Sequence, residues 1–274
     1  MVSEVLNTKF AELFSDMARA WREAPAPAGI HLAEVTRSGL ADVEAVAVIH
    51  GWMARVIRSG EAALLLADSG YAEEASPLVR SMLEHAIGLW WLVDKRGDAL
   101  QVLVRQKAYQ MERLEKVQEI GWRVSGDEGQ RLLREAIEVE TDEATKSLDR
   151  FAAVAEQARE YGLGMFLQAW MIESWTSHAS LASARAYYDH ERDADGSISE
   201  VPLLLTPVEG HREMYAAVAS ATHTALMAYN KLLPDEPLTQ ALTQWQQRFE
   251  TLGAELTEET GGMPPRDGVA ASEP

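Results

Sequence analysis

The stretch LVRSMLEHAIGLWWLVD, residues 78–94, decides the fold class of this chain. Its apolar residues recur with the 3.6-residue period of a helix and fill one broad arc, so the helix must be buried against other elements. The opposite arc, extended to the preceding proline, holds seven residues in angular order: Arg80, Trp91, Glu84, Pro77, Gly88, Ser81 and His85. The stretch therefore predicts a largely buried helix with one polar side.

The helical period recurs along most of the chain, whereas the two-residue period of strands hardly occurs. We predict an all-α fold, a multi-helix bundle of seven or eight helices with long antiparallel helix pairs. Pro77 either kinks the quoted helix or lies in its first turn. The helices are expected over residues 3–24, 40–67, 71–94, 98–122, 127–161, 165–190, 206–233 and 238–256.

Proline-rich and acidic segments predict the domain limits. The sequence APAPAG predicts a stiff linker, so residues 1–29 are expected to be an N-terminal helix and a Pro/Ala linker. Residues 30–256 are expected to form the helical bundle domain. Residues 257–274 combine acidic residues with Gly and Pro, which predicts a disordered acidic tail.

The bulk composition excludes several kinds of protein. The 274 residues include 25 Lys and Arg against 43 Asp and Glu, a formal net charge of -18. A surface this acidic repels phosphate backbones and anionic membranes, so we expect no DNA and no membrane as partners. The chain has no cysteine and no long apolar run, which predicts a cytoplasmic protein without disulfides or thiolate metal sites. It also lacks the Glu-x-x-His, His-Glu-x-x-His and phosphate-binding glycine motifs, so no metal and no cofactor are expected.

Polar residues on two predicted helices mark a candidate site. Glycine weakens a helix, so Gly88 predicts that another element approaches closely, and Trp91 on the same arc predicts a covered face. Arg80 and Glu84 would then need partners. A second predicted helix carries Ser174, His178 and Arg185 at spacings of four and seven. We call the predicted combination of Arg80, Glu84 and His178 the polar seam, and Ser81, Trp91, Ser174 and Arg185 complete the set of candidate binding residues.

The segments GYAEEASPLVRSMLEHAIGLWWL and SWTSHAS resemble an uncharacterised bacterial all-helical family of unknown function, with an Arg-x-x-x-Glu-His helix. This resemblance covers roughly residues 60–190 and implies a helical fold with the polar seam, but no reaction. More distantly, Arg80 and His85 resemble the Arg-x4-His pattern of the HEPN superfamily, whose helical domains often cleave RNA as dimers. That resemblance implies a metal-independent ribonuclease with His85 as the acid or base and Arg80 at the scissile phosphate.

Three functions stay open from the sequence. The first is a helical binding or scaffold protein, expected to be a homodimer or to bind a protein partner through a buried polar seam. The second is the HEPN-like ribonuclease that uses Arg80 and His85, the only alternative in which RNA is a partner. The third is small-molecule binding in a pocket lined by tryptophans: Trp90, Trp91, Trp170 and Trp175.

Overall fold

The structure is a computed structural model. It describes residues 4–27, 37–119, 143–180, 183–184, 187, 191–192, 198–200, 204 and 214–260. The elements in chain order are α1 Glu4–Glu23, α2 Arg37–Asp68, a 3-10 helix Glu73–Ala75, α3 Ser76–Lys95, α4 Gly97–Glu119, a 3-10 helix Glu143–Ala152, α5 Val154–Glu160, α6 Gly164–Ser177, β1 Glu191–Arg192, β2 Ile198–Glu200, α7 Met214–Asn230 and α8 Thr239–Thr260.

The quoted stretch forms α3, which lies at the centre of the bundle. It packs against α2, α6 and α7, and α7 also receives α1 and α8. Pro77 lies in the first turn of α3, so it does not kink the helix. The apolar arc of α3 is buried through Val79, Met82, Leu83, Ala86, Ile87 and Leu89, whereas Trp90 on the same arc is only partly buried. The all-α multi-helix bundle is thereby confirmed, and the strands β1 and β2 form only a small antiparallel pair.

The predicted division at residue 29 does not separate α1 from the bundle. Phe10, Leu13 and Met17 of α1 are buried in the common core, and α1 packs on α7. Two long-range contacts, Lys9 with Glu255 at 2.6 Å and Arg248 with Asp16 at 3.0 Å, also join α1 to α8. The N-terminal helix is therefore part of the bundle domain.

Three predicted helices have different limits in the structure. Within the predicted helix 127–161, the described part is broken at Ala153, whose extended backbone separates a 3-10 helix from α5. The predicted helix 165–190 ends at Ser177 because the backbone at His178 is extended, with φ -110° and ψ 160°. The last helix continues to Thr260, which is inside the predicted disordered tail. The predicted helix start at residue 206 and the tail beyond residue 260 lie outside the described residues.

Candidate functional site

The polar side of α3 contacts α6, and the contact begins with Arg80. Arg80 Nε donates to Ser174 Oγ at 2.8 Å, and its guanidinium lies 5.1 Å from the centre of the Trp170 ring. Glu84, one turn further along α3, lies 3.7 Å from Arg80 and accepts from Trp170 Nε1 at 3.3 Å. Arg80 thus pairs with Glu84 at the i,i+4 spacing, and both side chains contact α6.

A buried serine and a buried carboxylate form the second part of the contact. Ser76 Oγ donates to Glu173 Oε2 at 2.5 Å, and both side chains are buried. Ser177 donates to the Glu173 backbone carbonyl at 2.6 Å, and Thr176 donates to the same carbonyl at 3.1 Å. Ser76 and Glu173 are 97 residues apart in the chain, and their pairing offsets the desolvation of the carboxylate. We call the contacts of Ser76, Arg80 and Glu84 with Trp170, Glu173 and Ser174 the α3–α6 polar contact.

The polar seam predicted from the sequence is wrong in two respects. His178 is exposed at the end of α6, and no contact joins it to Arg80 or Glu84. The other two side chains are only half-buried, with 28% of Arg80 and 43% of Glu84 exposed. The early end of α6 explains the first difference, because His178 no longer follows Ser174 along one helical stripe. Arg185 lies outside the described residues.

Two further candidates of α3 are covered by neighbouring helices. Trp91 is completely buried in the core, which follows from the position of α3 between several helices. Gly88 is buried beneath Trp52 of α2: a Cβ atom at Gly88 would lie 2.6 Å from Trp52 Cζ3. The close approach predicted for Gly88 is thereby confirmed. Neither residue is available to a ligand, so the prediction of Trp91 as a binding residue is wrong.

His85 faces α2 and not the α3–α6 polar contact. Its Nδ1–H donates to the Ser81 carbonyl oxygen at 2.6 Å, and its ring meets the Trp52 ring edge-on at 5.4 Å. Burial lowers the pKa of His85 and the charge of Arg55 lowers it further, although the Ser81 hydrogen bond and Glu84 oppose this. His85 is therefore neutral at pH 7, with Nε2 as an acceptor.

The two residues of the predicted ribonuclease pair have different neighbours. Arg80 is held by Ser174, Trp170 and Glu84 of the α3–α6 polar contact, whereas His85 is held by the Ser81 carbonyl and Trp52. They are five residues apart on one helix, about 140° around its axis, so their side chains diverge. Catalysis by Arg80 and His85 remains a prediction, and no contact in the structure brings the pair together.

The α3–α6 polar contact is expected to contribute unevenly to stability. Replacing Arg80 by Met removes a charge-assisted hydrogen bond and a cation–π contact, which should lower the free energy of unfolding by about 1–2 kcal/mol. Replacing Glu84 by Gln should cost less than about 1 kcal/mol, because the pair is long and solvent-screened. Urea unfolding followed by circular dichroism measures both. Equal losses of unfolding free energy from the two substitutions would contradict the larger contribution expected of Arg80.

The outward side of α6 is largely apolar and exposed, although the inward side also packs Phe166, Ala169 and Trp170 against the core. A helix normally buries its apolar side, but α6 turns Glu173, Ser174 and Ser177 towards α3. Its outward residues are strongly exposed, and we call them the α6 apolar face: Met165 81%, Met171 44%, Ile172 51% and Trp175 57%. The only charged residue of α6 is Glu173, and it is buried. The spacing of residues 165, 172 and 175 places them along one helical side, and this spacing is the sequence signal for the face.

The tryptophans predicted to line a common pocket are dispersed. Trp91 is in the core, Trp170 packs against Arg80, and Trp175 is exposed. Trp90 lines two cavities beside α7. The predicted four-tryptophan pocket is therefore wrong. Within the described ranges no three His, Asp or Glu side chains converge as a metal site would require, and no helix is long and apolar enough to cross a membrane.

These features define an all-helical bundle protein with a central helix, a polar helix–helix contact and an exposed apolar helix beside it. Residues 46–197, more than half of the chain, match the model of a protein family of unknown function, DUF5677, and the chain belongs to that family. The matched region runs from within α2 past β1 and includes the whole α3–α6 polar contact. The predicted membership of an uncharacterised family is confirmed. No curated protein and no solved structure matches the chain.

Proposed function

We propose that this chain is a non-enzymatic binding or scaffold protein whose α6 apolar face contacts a second copy of the chain. The observation that carries the proposal is the exposure of four large apolar side chains on the outward side of α6, opposite the polar contact with α3. Large apolar side chains exposed on one helix side, here around the exposed Gln168, are typical of protein–protein contacts. Met and Trp are residue types enriched at the centres of such interfaces.

The α3–α6 polar contact supports the proposal because it explains what holds α6 in this orientation. Burial of apolar surface is favourable by about 25 cal/mol per Å². Without other contacts, the outward apolar side chains of α6 would therefore also favour facing the bundle. The hydrogen bonds from Ser76 to Glu173 and from Arg80 to Ser174 stabilise the orientation in which the polar side of α6 faces inward. The polar residues on α3 thus serve to present the α6 apolar face.

Charge supports a second copy of the chain as the partner. Two chains with a formal net charge of -18 each repel one another wherever acidic surfaces meet. The α6 apolar face carries no charged side chain, so two copies can meet there without bringing carboxylates together. A symmetric dimer uses the same patch on both copies, so one uncharged face is sufficient. A 14-residue helix is about 21 Å long, and it would form the apolar centre of an interface of about 800 Å² per partner.

We expect the wild-type chain to sediment as a dimer, twice its 30.3 kDa mass, at micromolar concentrations. An Ile172→Glu substitution should weaken dimerisation on the order of a hundredfold, because it places a charge at the centre of a desolvated contact. Sedimentation velocity over a concentration series measures the dissociation constant of both chains.

Leu65→Glu is the matched control for the dimer test. Leu65 is also a helical residue with 67% exposure, but it lies on α2 and outside the α6 apolar face. The control should leave the dissociation constant unchanged, and circular dichroism should show that both variants are folded. A monomeric wild type, or equal weakening by the two substitutions, would refute the proposal.

A cytoplasmic location is part of the proposal, and the cysteine-free composition supports it.

A further inference from the structure

An open cavity lies between α7 and α8, at the side of the bundle where α3 also ends. Its volume is about 580 Å³, within the range of small-molecule sites. Trp90, Met227 and Leu242 supply apolar wall, and Thr239, Thr243 and Gln246 supply uncharged hydrogen-bonding groups. A second cavity of about 340 Å³ adjoins it and shares Trp90 and Lys231. Trp90 therefore has open space on both sides of the shared wall.

Trp90 is held rigidly as part of this wall. Its indole N–H donates to the Thr224 carbonyl of α7 at 3.0 Å, which fixes the ring against α7. The Tyr161 ring lies 6.3 Å from it, tilted by 38°. A fixed aromatic ring beside open space is a pre-organised contact surface, because no side-chain freedom is lost when a ligand stacks on it.

The Trp90 ring already has a cation over it. The Lys231 ammonium lies 4.3 Å from the ring centre, in the geometry of a cation–π contact. Lys231 lines both cavities, yet it leaves each of them open. The contact of Lys231 with Trp90 is therefore an example, within the chain, of the cation–π binding that this wall favours.

The other charges around the larger cavity also favour a cation. Glu236 and Glu250 line it, and among the described residues of its wall the basic side chains are Lys231 and His223. Helix α7 ends at Asn230, which lines the cavity, and the carbonyl end of a helix carries partial negative charge. His223, buried in the wall, donates Nε2–H to the Leu242 carbonyl at 3.1 Å, and burial lowers its pKa. It is therefore neutral at pH 7 and does not repel a cation.

A strained turn holds Glu236 at the cavity. Asp235 and Glu236 have positive φ angles of 58° and 45°, which non-glycine residues seldom adopt. The buried Asn230 braces the turn: its Oδ1 accepts from the Leu238 backbone N–H at 3.0 Å, and its Nδ2 donates to Thr239 Oγ1 at 3.1 Å. The turn thereby fixes the backbone position of Glu236, which lines the cavity.

We infer that the cavity between α7 and α8 binds a small organic cation with an aromatic or apolar body, which takes the place of Lys231 on the Trp90 ring. The ammonium of the ligand would lie on Trp90 with Glu236 and Glu250 near it. The apolar body would lie against Met227 and Leu242. The threonine and glutamine side chains would bind any polar substituents.

The test uses three probes of similar size and different charge: benzyltrimethylammonium, benzyl alcohol and benzoate. Isothermal titration calorimetry with the full chain should show the cation binding tightest and benzoate weakest. A Lys231→Met substitution should tighten benzyltrimethylammonium binding on the order of tenfold, because it removes the internal competitor from Trp90. Glu250→Gln should weaken binding several-fold by removing a nearby charge.

Lys9→Met is the matched control, since it removes a lysine that lies in the contact of α1 with Glu255. It should leave the affinity for benzyltrimethylammonium unchanged, although it alters net charge by the same amount as Lys231→Met. Failure of all three probes to bind, preference for benzoate, or weaker cation binding by the Lys231→Met chain would overturn the inference. The wild-type chain and the three substituted chains should all be folded, because Lys231 and Glu250 are exposed and the Lys9 side chain is 40% exposed.

Discussion

Replacement of Trp91 by Ala is expected to lower the free energy of unfolding by about 3–5 kcal/mol, a large part of the stability of a typical domain. Trp91 lies in α3, and its side chain is completely buried in the folded chain. Its removal leaves a cavity at the centre of the bundle, where α2, α6 and α7 surround α3. Urea unfolding followed by circular dichroism measures this loss.

The chain offers a matched control for Trp91 in Trp175, which is 57% exposed on α6. Trp175→Ala should change the unfolding free energy of the monomer by less than about 0.5 kcal/mol, as is usual for surface substitutions. It should instead weaken the proposed dimer. Stability losses of equal size in the two variants would contradict the burial of Trp91 or the exposure of Trp175.

A Phe at position 91 separates packing from hydrogen bonding. The Nε1 atom of Trp91 is buried without a hydrogen-bond partner in the described part of the chain. An unpaired buried donor costs about 1–3 kcal/mol, so its removal in Trp91→Phe offsets part of the lost packing. We therefore expect Trp91→Phe to lose much less stability than Trp91→Ala. Equal losses would mean that the indole N–H has a partner in the folded state.

The second large effect is expected at Gly88, where Ala should destabilise the chain by about 1–3 kcal/mol through overpacking. The added Cβ would lie 2.6 Å from Trp52 Cζ3 and 3.4 Å from Gln157 Oε1. The Trp52 ring would therefore have to shift to make room for it. Trp52 also contacts the His85 ring, so the substitution should disturb the His85 environment. Thermal or urea unfolding gives the change, and the chemical shift of His85 reports the disturbance.

Gly51→Ala should have the opposite sign. Gly51 lies inside α2, and nothing lies within 4 Å of a Cβ atom placed there. Alanine should stabilise the helix at this position by about 0.5–1 kcal/mol, because glycine loses more backbone freedom on folding. A stabilising effect at Gly88, or a destabilising one at Gly51, would contradict the packing of α2 on α3.

Local sequence patterns predicted the parts of the site that lie within one helix. The spacing of four between Arg80 and Glu84 indicates an ion pair on one side of α3, and they are paired. The glycine at position 88 indicated close packing, and Trp52 lies there. The i, i+4 rule and the cost of a helical glycine depend only on neighbouring residues, so they hold before the tertiary fold is known.

Contacts between distant residues could not be predicted in this way. Ser76 and Glu173 lie 97 residues apart, and no spacing rule connects them. Trp91 was placed on the polar arc by its angle on the helix. It is buried because other helices surround α3 on several sides. His178 was assigned to the stripe of Ser174 because the sequence does not mark the end of α6 at Ser177.

Three properties can be predicted from the amino-acid order alone: an acidic all-helical bundle, a buried helix over residues 78–94, and the pairing of Arg80 with Glu84. Those properties follow from hydrophobic period, composition and neighbour spacing, which act over one or two helical turns. The inward direction of Ser174, the outward direction of Ile172 and the position of Lys231 over Trp90 depend instead on how the helices pack. The physical reason is that burial and pairing of a side chain depend on which helices surround it, and that arrangement is settled by the whole core at once.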